Sequence, residues 1–240
     1  MENISYVGLS AQMALQRQMD ITANNIANMN TSGFKAQGVL FLDYLNKAKD
    51  GSGNALTQVT NFGTYRDLAA GSMTQTFNDL DFAIQGDGYF SIQSPEGTRY
   101  TRDGSFSLNA NREIVTKDGF QVMGDGGPIT IPSDATRIIV AKDGSVSTDK
   151  GSVDKIKIVG FDSEQLLTPT GHNLLDGSKA TEKTIDKPHV EQGMVEASNV
   201  NPIVEMNRMV EILRAYQSTQ QMLVTDHERM RSAFQRLTKI

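Results

Sequence analysis

Glycine divides this chain before any other property is considered. Of the 21 glycines in 240 residues, only Gly8 precedes Gly33 and none follows Gly193. Glycine inside a helix costs about 1 kcal/mol relative to alanine. Long glycine-poor ends are therefore free to be helical, and the glycine-rich middle is not. Methionine runs the other way, with nine of eleven in residues 1–29 or 194–240. The two ends share a character that the middle lacks.

The C-terminal end has the sharper periodicity. Met206, Met209, Leu213, Tyr216, Gln220, Leu223, His227, Met230, Phe234 and Leu237 follow one another at alternating steps of three and four, and eight of these ten are apolar or aromatic. Such spacing over more than four heptads is a coiled-coil seam. Asn201-Pro202 supplies a helix start, with proline where its missing N–H costs nothing. The N-terminal end carries a shorter seam, Leu15, Met19, Thr22, Ile26 and Met29, with Gly33 expected as its left-handed C-terminal cap. Each buried Leu, Met, Phe or Ile contributes roughly 1.5–3 kcal/mol. The C-terminal seam thus implies a partner, and the N-terminal helix is too short to cover it all. The ends are expected to pair with each other and then with other chains.

Between Asp87 and Gly144 there are five Asp-Gly pairs, at Gly88, Gly104, Gly119, Gly126 and Gly144. Such pairs suit the positive φ of tight hairpin turns. Around them lie short runs, among them Tyr89–Ile92, Arg99–Thr101, Phe106–Leu108, Ile129–Ile131, Arg137–Val140 and Ile156–Val159. Many short strands between turns indicate a sandwich or barrel-like β domain. The expected fold is α+β: N- and C-terminal helices forming an α-helical coiled coil, with a central all-β domain. Residues 1–42 supply the first helix, 43–76 an extended connector containing the loop-rich run Lys49–Asn54, 77–190 the β domain, and 191–240 the last helix.

The net charge of −5 at pH 7 argues against nucleic acid as a partner. With no cysteine, disulfides, thiolate zinc sites and cysteine nucleophiles are excluded. No apolar run approaches the roughly 18–20 residues of a membrane span, so no direct membrane insertion is expected. The opening Met1–Tyr6 lacks the basic and apolar regions of a cleaved signal peptide. His172, His189 and His227 form no HExxH or close pair, and G-x-S-x-G is absent. Gly86-Asp87-Gly88 reads as a turn before a strand. Asp79, Asp81 and Asp87 are the residues an acid/base pair would draw on, but an Asp-rich approach to a hairpin is ordinary turn chemistry. A calcium loop from Asp79 would need glycine where Ile84 stands. Asn3-Ile4-Ser5 and Asn30-Thr31-Ser32 match the glycosylation sequon, which is short and frequent by chance. No enzyme, cofactor or metal site is expected.

Four asparagines fall in seven residues at Asn24, Asn25, Asn28 and Asn30. At 100° per residue, Met19, Ala23, Ile26 and Ala27 share one side of a helix, and Asn24, Asn25 and Asn28 the other. That polar side reads either as a solvated face or as a second contact surface whose amides fix register.

The stretch Ala23–Lys35 (ANNIANMNTSGFK) resembles the N-terminal signature of the axial proteins of the bacterial flagellum, the rod, hook and hook-associated proteins. Glu196-Ala197-Ser198-Asn199-Val200-Asn201-Pro202, with Glu205-Met206 and Arg214-Ala215-Tyr216-Gln217, is similar to their C-terminal signature, and Asn78–Phe90 to the opening of their β domain. Both ends and the middle match in the right order. Tyr6–Leu15 and Asn201-Pro202 look like the proximal-rod type, with the distal-rod type nearest to it. Ala197, where glycine is common, and Ser32, where threonine or proline is, bear on subtype.

The resemblance implies an inner domain of terminal helices packed into a tube with other rod proteins and copies of itself, and an outer β domain. It also implies export through the flagellar type III apparatus with an uncleaved N-terminus, and residence in the basal-body rod crossing the periplasm. The subunit contacts it assigns are Leu15, Met19, Ile26 and the Asn24, Asn25, Asn28 face, with Met206, Met209, Leu213, Tyr216, Leu223, Met230 and Phe234 opposite. In a packed wall the asparagines fix register. The competing readings are a periplasmic cell-wall hydrolase using Asp79, Asp81 or Asp87, and a soluble coiled-coil adaptor.

Overall fold

The computed structural model describes residues 2–46, 56–185 and 187–237, and the loop-rich run Lys49–Asn54 lies outside them. The chain is α+β: an N-terminal helix, a β-rich middle and a C-terminal helix. Helix α1 spans Glu2–Ala27 and α2 spans Pro202–Leu237. The strands are β1 Gln37–Asn46, β2 Leu56–Arg66, β3 Met73–Gln75, β4 Phe82–Ile84, β5 Tyr89–Ser94, β6 Gly97–Thr101, β7 Phe106–Leu108, β8 Ile114–Thr116 and β9 Gln121–Val122. They continue with β10 Ile138–Val140, β11 Ser145–Thr148, β12 Gly151–Lys155, β13 Ile158–Phe161, β14 Thr168–Gly171, β15 Leu174–Asp176, β16 Glu182–Thr184, β17 Val190–Gln192 and β18 Met194–Glu196.

These elements form two compact units. The helical unit comprises residues 1–27, 37–67 and 201–240; the β unit comprises 28–36 and 68–200. In the helical unit α1 and α2 pack on each other, and β1 and β2 form an antiparallel pair with a bulge at Leu40/Phe41. Residues 43–46 and 56–66 of the segment expected as a connector thus belong to paired strands. Asn201 caps α2 as its sequence requires. Its side-chain oxygen accepts from the N–H groups of Ile203 at 3.1 Å and Val204 at 3.3 Å, with Pro202 in the first helical position.

In the β unit a nine-stranded antiparallel sheet runs β14-β15-β6-β5-β9-β8-β7, with β13 pairing β5 and β16 beside it. Strand β5 explains its own sequence. Residues two apart share a face, so Phe90 and Ile92 enter one apolar cluster with Phe82, Phe106 and Ile114, while Tyr89 enters another with Tyr100 and Phe161. Both faces of β5 are covered, which is why Tyr-Phe-Ser-Ile is not an alternating apolar–polar strand. Ile129 and Ile131, expected in a strand, are fully buried but take part only in an isolated bridge at Thr130.

The Asp-Gly pairs serve two purposes. Gly88, Gly119 and Gly144 have φ of 133°, 86° and 85°, as tight turns demand. Gly104 and Gly126 do not belong to that positive-φ set. At Gly104 a Cβ would overlap the Phe82 carbonyl oxygen, so close approach and not turn geometry selects glycine there.

Candidate functional site

On α2 the covered positions are Glu205, Met209, Ile212, Tyr216, Thr219, Leu223, Asp226 and Met230. They too step by three and four, but along a seam rotated from the expected one. Met209, Tyr216, Leu223 and Met230 belong to both and are partly buried, whereas Met206 and Leu213 remain 48% and 42% exposed. His227, also expected on the packed seam, is exposed. Met206 and Leu213 instead align with Ile203, Val210 and Val224, all at least 47% exposed, at steps of three, four, three and eleven. These five side chains make an apolar stripe on the side of α2 away from its covered face. Phe234 lies on α2, and its side chain is outside the described set.

On α1, Leu15, Met19 and Ile26 are partly buried, and Thr22 is buried. Tyr6, Leu9 and Met13 are exposed at three-four spacing. Gly8 allows close approach to α2, since a Cβ there would press on Leu223. The asparagines do not act as one face. Asn25 is 1% exposed. Its amide nitrogen donates to the Gln37 carbonyl at 2.9 Å and to Glu205 Oε2 at 3.2 Å, and its oxygen accepts from the Gln37 N–H at 2.9 Å. Asn24 is exposed, and Asn28 lies beyond the end of α1 in a turn where its carbonyl accepts from the Thr31 N–H. Their common side of a helix is therefore corrected: α1 ends at Ala27, and 100° separates Asn24 from Asn25.

Gly33 is left-handed, with φ of 69°, but it does not cap α1. It belongs to the β unit, where its N–H donates to the Glu196 carbonyl at 2.8 Å and a Cβ would overlap the Arg102–Asp103 backbone.

That contact opens onto a buried charge cluster that the sequence did not reveal. The Glu196 side chain, 1% exposed, accepts from Lys35 Nζ at 2.6 Å, Arg102 Nε at 2.5 Å and the Gly71 N–H at 2.9 Å. Arg102 completes its own shell on three carbonyls, Ile84 at 3.0 Å, Gly86 at 2.5 Å, and Gly88. The Gly86-Asp87-Gly88 turn thus presents its carbonyls to a guanidinium, and no phosphate loop is involved. Burial alone would raise the Glu196 pKa. The Arg102 charge and the bonds from Lys35, Arg102 and Gly71 outweigh it, and the carboxyl is held below its ordinary value.

A carboxylate whose folded pKa is depressed stabilises the fold above its unfolded value, about 4.3, and loses that contribution as pH falls through the folded value. The stability advantage of the native chain over Glu196→Gln should therefore be full at pH 7 and shrink below about pH 4. Urea midpoints of both proteins across pH 7 to 3 check this; a constant difference would remove the ionised Glu196 from the account.

Nothing catalytic is assembled by the other candidates. Asp81 is buried and accepts from Asn78 Nδ2 at 3.0 Å within its own turn, and Asp79 and Asp87 are exposed. Among the described residues no group of His, Asp and Glu side chains is placed to hold a metal, and no helix is long and apolar enough to cross a membrane.

Three family models match the chain. They are the flagella basal body rod protein over residues 6–35, the flagellar hook protein FlgE/F/G D1 domain over 83–148, and the flagellar basal body rod FlgEFG protein C-terminal over 191–236. The chain is 41% identical to the flagellar basal-body rod protein FlgF of Caulobacter vibrioides over the full length of both, and 40% identical to that of Mesorhizobium japonicum over 91% of each. It is 34% identical to the flagellar basal-body rod protein FlgG of Bacillus subtilis over 93% of this chain and 94% of that one. With both helices, the β unit and full-length relatives in agreement, the chain belongs to the flagellar basal-body rod protein family and is a structural subunit of the basal body, assembling with other rod proteins, rather than an enzyme.

Proposed function

We propose that this chain occupies the proximal part of the rod, where its terminal helices coil together and then pack with copies of itself and with other rod proteins into a tube. The tube is a drive shaft that crosses the periplasm, transmits torque and encloses the export channel, and its subunits arrive through the type III flagellar export apparatus. The proximal position follows the higher identity to FlgF than to FlgG relatives; a distal-rod position is the alternative. In this reading the helical unit, residues 1–27, 37–67 and 201–240, forms the inner part of the wall, and the β unit, 28–36 and 68–200, the outer domain.

The observation that carries the reading is the apolar stripe of Ile203, Met206, Val210 and Leu213, a surface that α1 does not cover. Of the expected wall contacts, Met206, Leu213 and Asn24 are the exposed ones and meet neighbouring subunits first. Leu15, Met19, Ile26, Met209, Tyr216, Leu223 and Met230, half covered within the chain, complete their burial at the edges of those contacts, and Asn25 and Asn28 set the register of the segments they bond. Phe234 extends the C-terminal seam. Methionine suits a wall whose neighbours differ, because its flexible side chain repacks against unlike partners.

Leu213→Asp puts a charge into the stripe and leaves the β unit untouched. Expected are an unchanged melting transition of the β unit, absence of the variant from isolated basal bodies, and loss of swimming in soft agar. Normal swimming would overturn the contact assignment.

A further inference from the structure

The chain passes between its two units four times, after Ala27, Ala36, Asp67 and Val200. Three of these passages run through short segments of the β unit, 33–36, 69–72 and 196–200, which are distant in the chain and meet at the charge cluster. None of these segments contributes to the apolar core around Phe90.

Side chains tie them together. Lys35 Nζ donates to Glu196 at 2.6 Å and to the Ala69 carbonyl at 2.9 Å, which joins all three segments through one ammonium group. Asn199 repeats the junction: its oxygen accepts from the Ala36 N–H at 2.7 Å and its amide donates to the Ala69 carbonyl at 3.0 Å. Glu196 takes the Gly71 N–H, and its own carbonyl takes the Gly33 N–H. Beyond the three-residue β3–β18 ladder, three backbone bonds join the segments: Gly33 N–H to the Glu196 carbonyl, Ala197 N–H to the Ser72 carbonyl and Asn199 N–H to the Phe34 carbonyl. A Cβ at Gly71 would overlap the Ala197 carbonyl oxygen, so the two backbones touch. Lys35 lies in the first family-model match, Arg102 in the second, and Glu196 and Asn199 in the third.

We propose that Lys35, Glu196 and Asn199, braced by Arg102, form a clamp that makes the three passages a single cooperative unit, distinct from the apolar core. Two features support this beyond simple stabilisation. Lys35, Glu196 and Asn199 each bond the other two segments, so losing one loosens the others. The bonds from Lys35, Arg102 and the Gly71 N–H also converge on a carboxylate that is 1% exposed and are charge-assisted, which makes them strong and directional. In a torque-carrying shaft, a consequence that rests on the function proposed above, strands fixed to one another share a load that would otherwise fall on whichever strand is shortest.

The test is amide hydrogen exchange on the soluble full-length chain, which needs no assembly and so stands or falls apart from the Leu213→Asp result. Asn199→Ala should speed exchange at least tenfold at Ala36, which loses its acceptor. It should do so equally at the distant Gly33, Gly71 and Ala197 amides, while β5 amides are unchanged. Lys35→Met should give the same pattern at Gly71, Ala197 and Asn199. Asn199→Asp, which keeps the acceptor for Ala36 and removes the donor to Ala69, supplies the readout where Asn199→Ala does not fold. Faster exchange only at the amide whose partner was removed would overturn the clamp. So would an equal rise in β5, which would make the cluster one more part of global stability.

Discussion

Replacing Arg102 with methionine is expected to lower the stability of the β unit by about 3–5 kcal/mol, the usual cost of breaking a buried ion pair from one side. Methionine fills much of the same volume, so the loss is electrostatic and not a cavity. Arg102 is 8% exposed and donates to Glu196 and to the carbonyls of Ile84, Gly86 and Gly88. Without it, Glu196 keeps Lys35 and the Gly71 N–H, and three carbonyls lose a donor, those of Ile84 and Gly88 on buried residues. Arg102→Lys restores the charge but not the planar fork that reaches four acceptors, and should recover a minor part of the loss. Urea unfolding, followed through Tyr89 and Tyr100 since the chain has no tryptophan, measures both variants. A shift under 1 kcal/mol for Arg102→Met would show that water replaces the guanidinium without penalty.

Phe90→Ala should cost a similar amount for a different reason. Phe90 is fully buried and meets Phe106 edge-on, with ring centroids 5.2 Å apart at 85°. Large-to-alanine changes at such sites cost about 3–5 kcal/mol through lost transfer energy and the cavity left behind. Its strand pairs β6, β9 and β13, so there is little freedom for the surroundings to collapse into the space. The two substitutions also differ in where they act. Phe90→Ala should accelerate amide exchange across the whole β unit, whereas Arg102→Met should do so first around Gly33, Gly71 and Ala197. Phe90→Leu, which refills most of the volume, should recover more than half of the loss; failure to do so would point to ring-specific contacts and not volume.

Features set by residues close in the chain were legible beforehand. Asn201-Pro202 starts α2 because a cap needs only the next three N–H groups. Phe106–Leu108 is a strand as expected, bounded by turn residues on both sides. The family was legible too, since its motifs are local runs in a fixed order. The Glu196 cluster was not. Its members lie 161 and 94 residues apart in the chain, and a lone lysine, arginine or glutamate looks the same whether it is solvated or buried. Gly104 was misread for a related reason: Asp-Gly is a turn signal, but the carbonyl that excludes a side chain there comes from Phe82, more than twenty residues earlier.

The asparagines and the α2 seam mark the same boundary. Composition and periodicity established that both ends are helical and that α2 carries more apolar surface than α1 can cover, because helix formation and amphipathicity depend on spacings of three and four residues. Which amide is buried depended on Gln37 and Glu205 being brought to Asn25. Which stripe of α2 is covered depended on how α1 lies along it: a step of one residue turns a helix by 100°, and that rotation leaves Met206 and Leu213 outside while Glu205 and Ile212 go in. Spacing along a chain sets the surfaces a helix has available; contact with distant segments chooses among them.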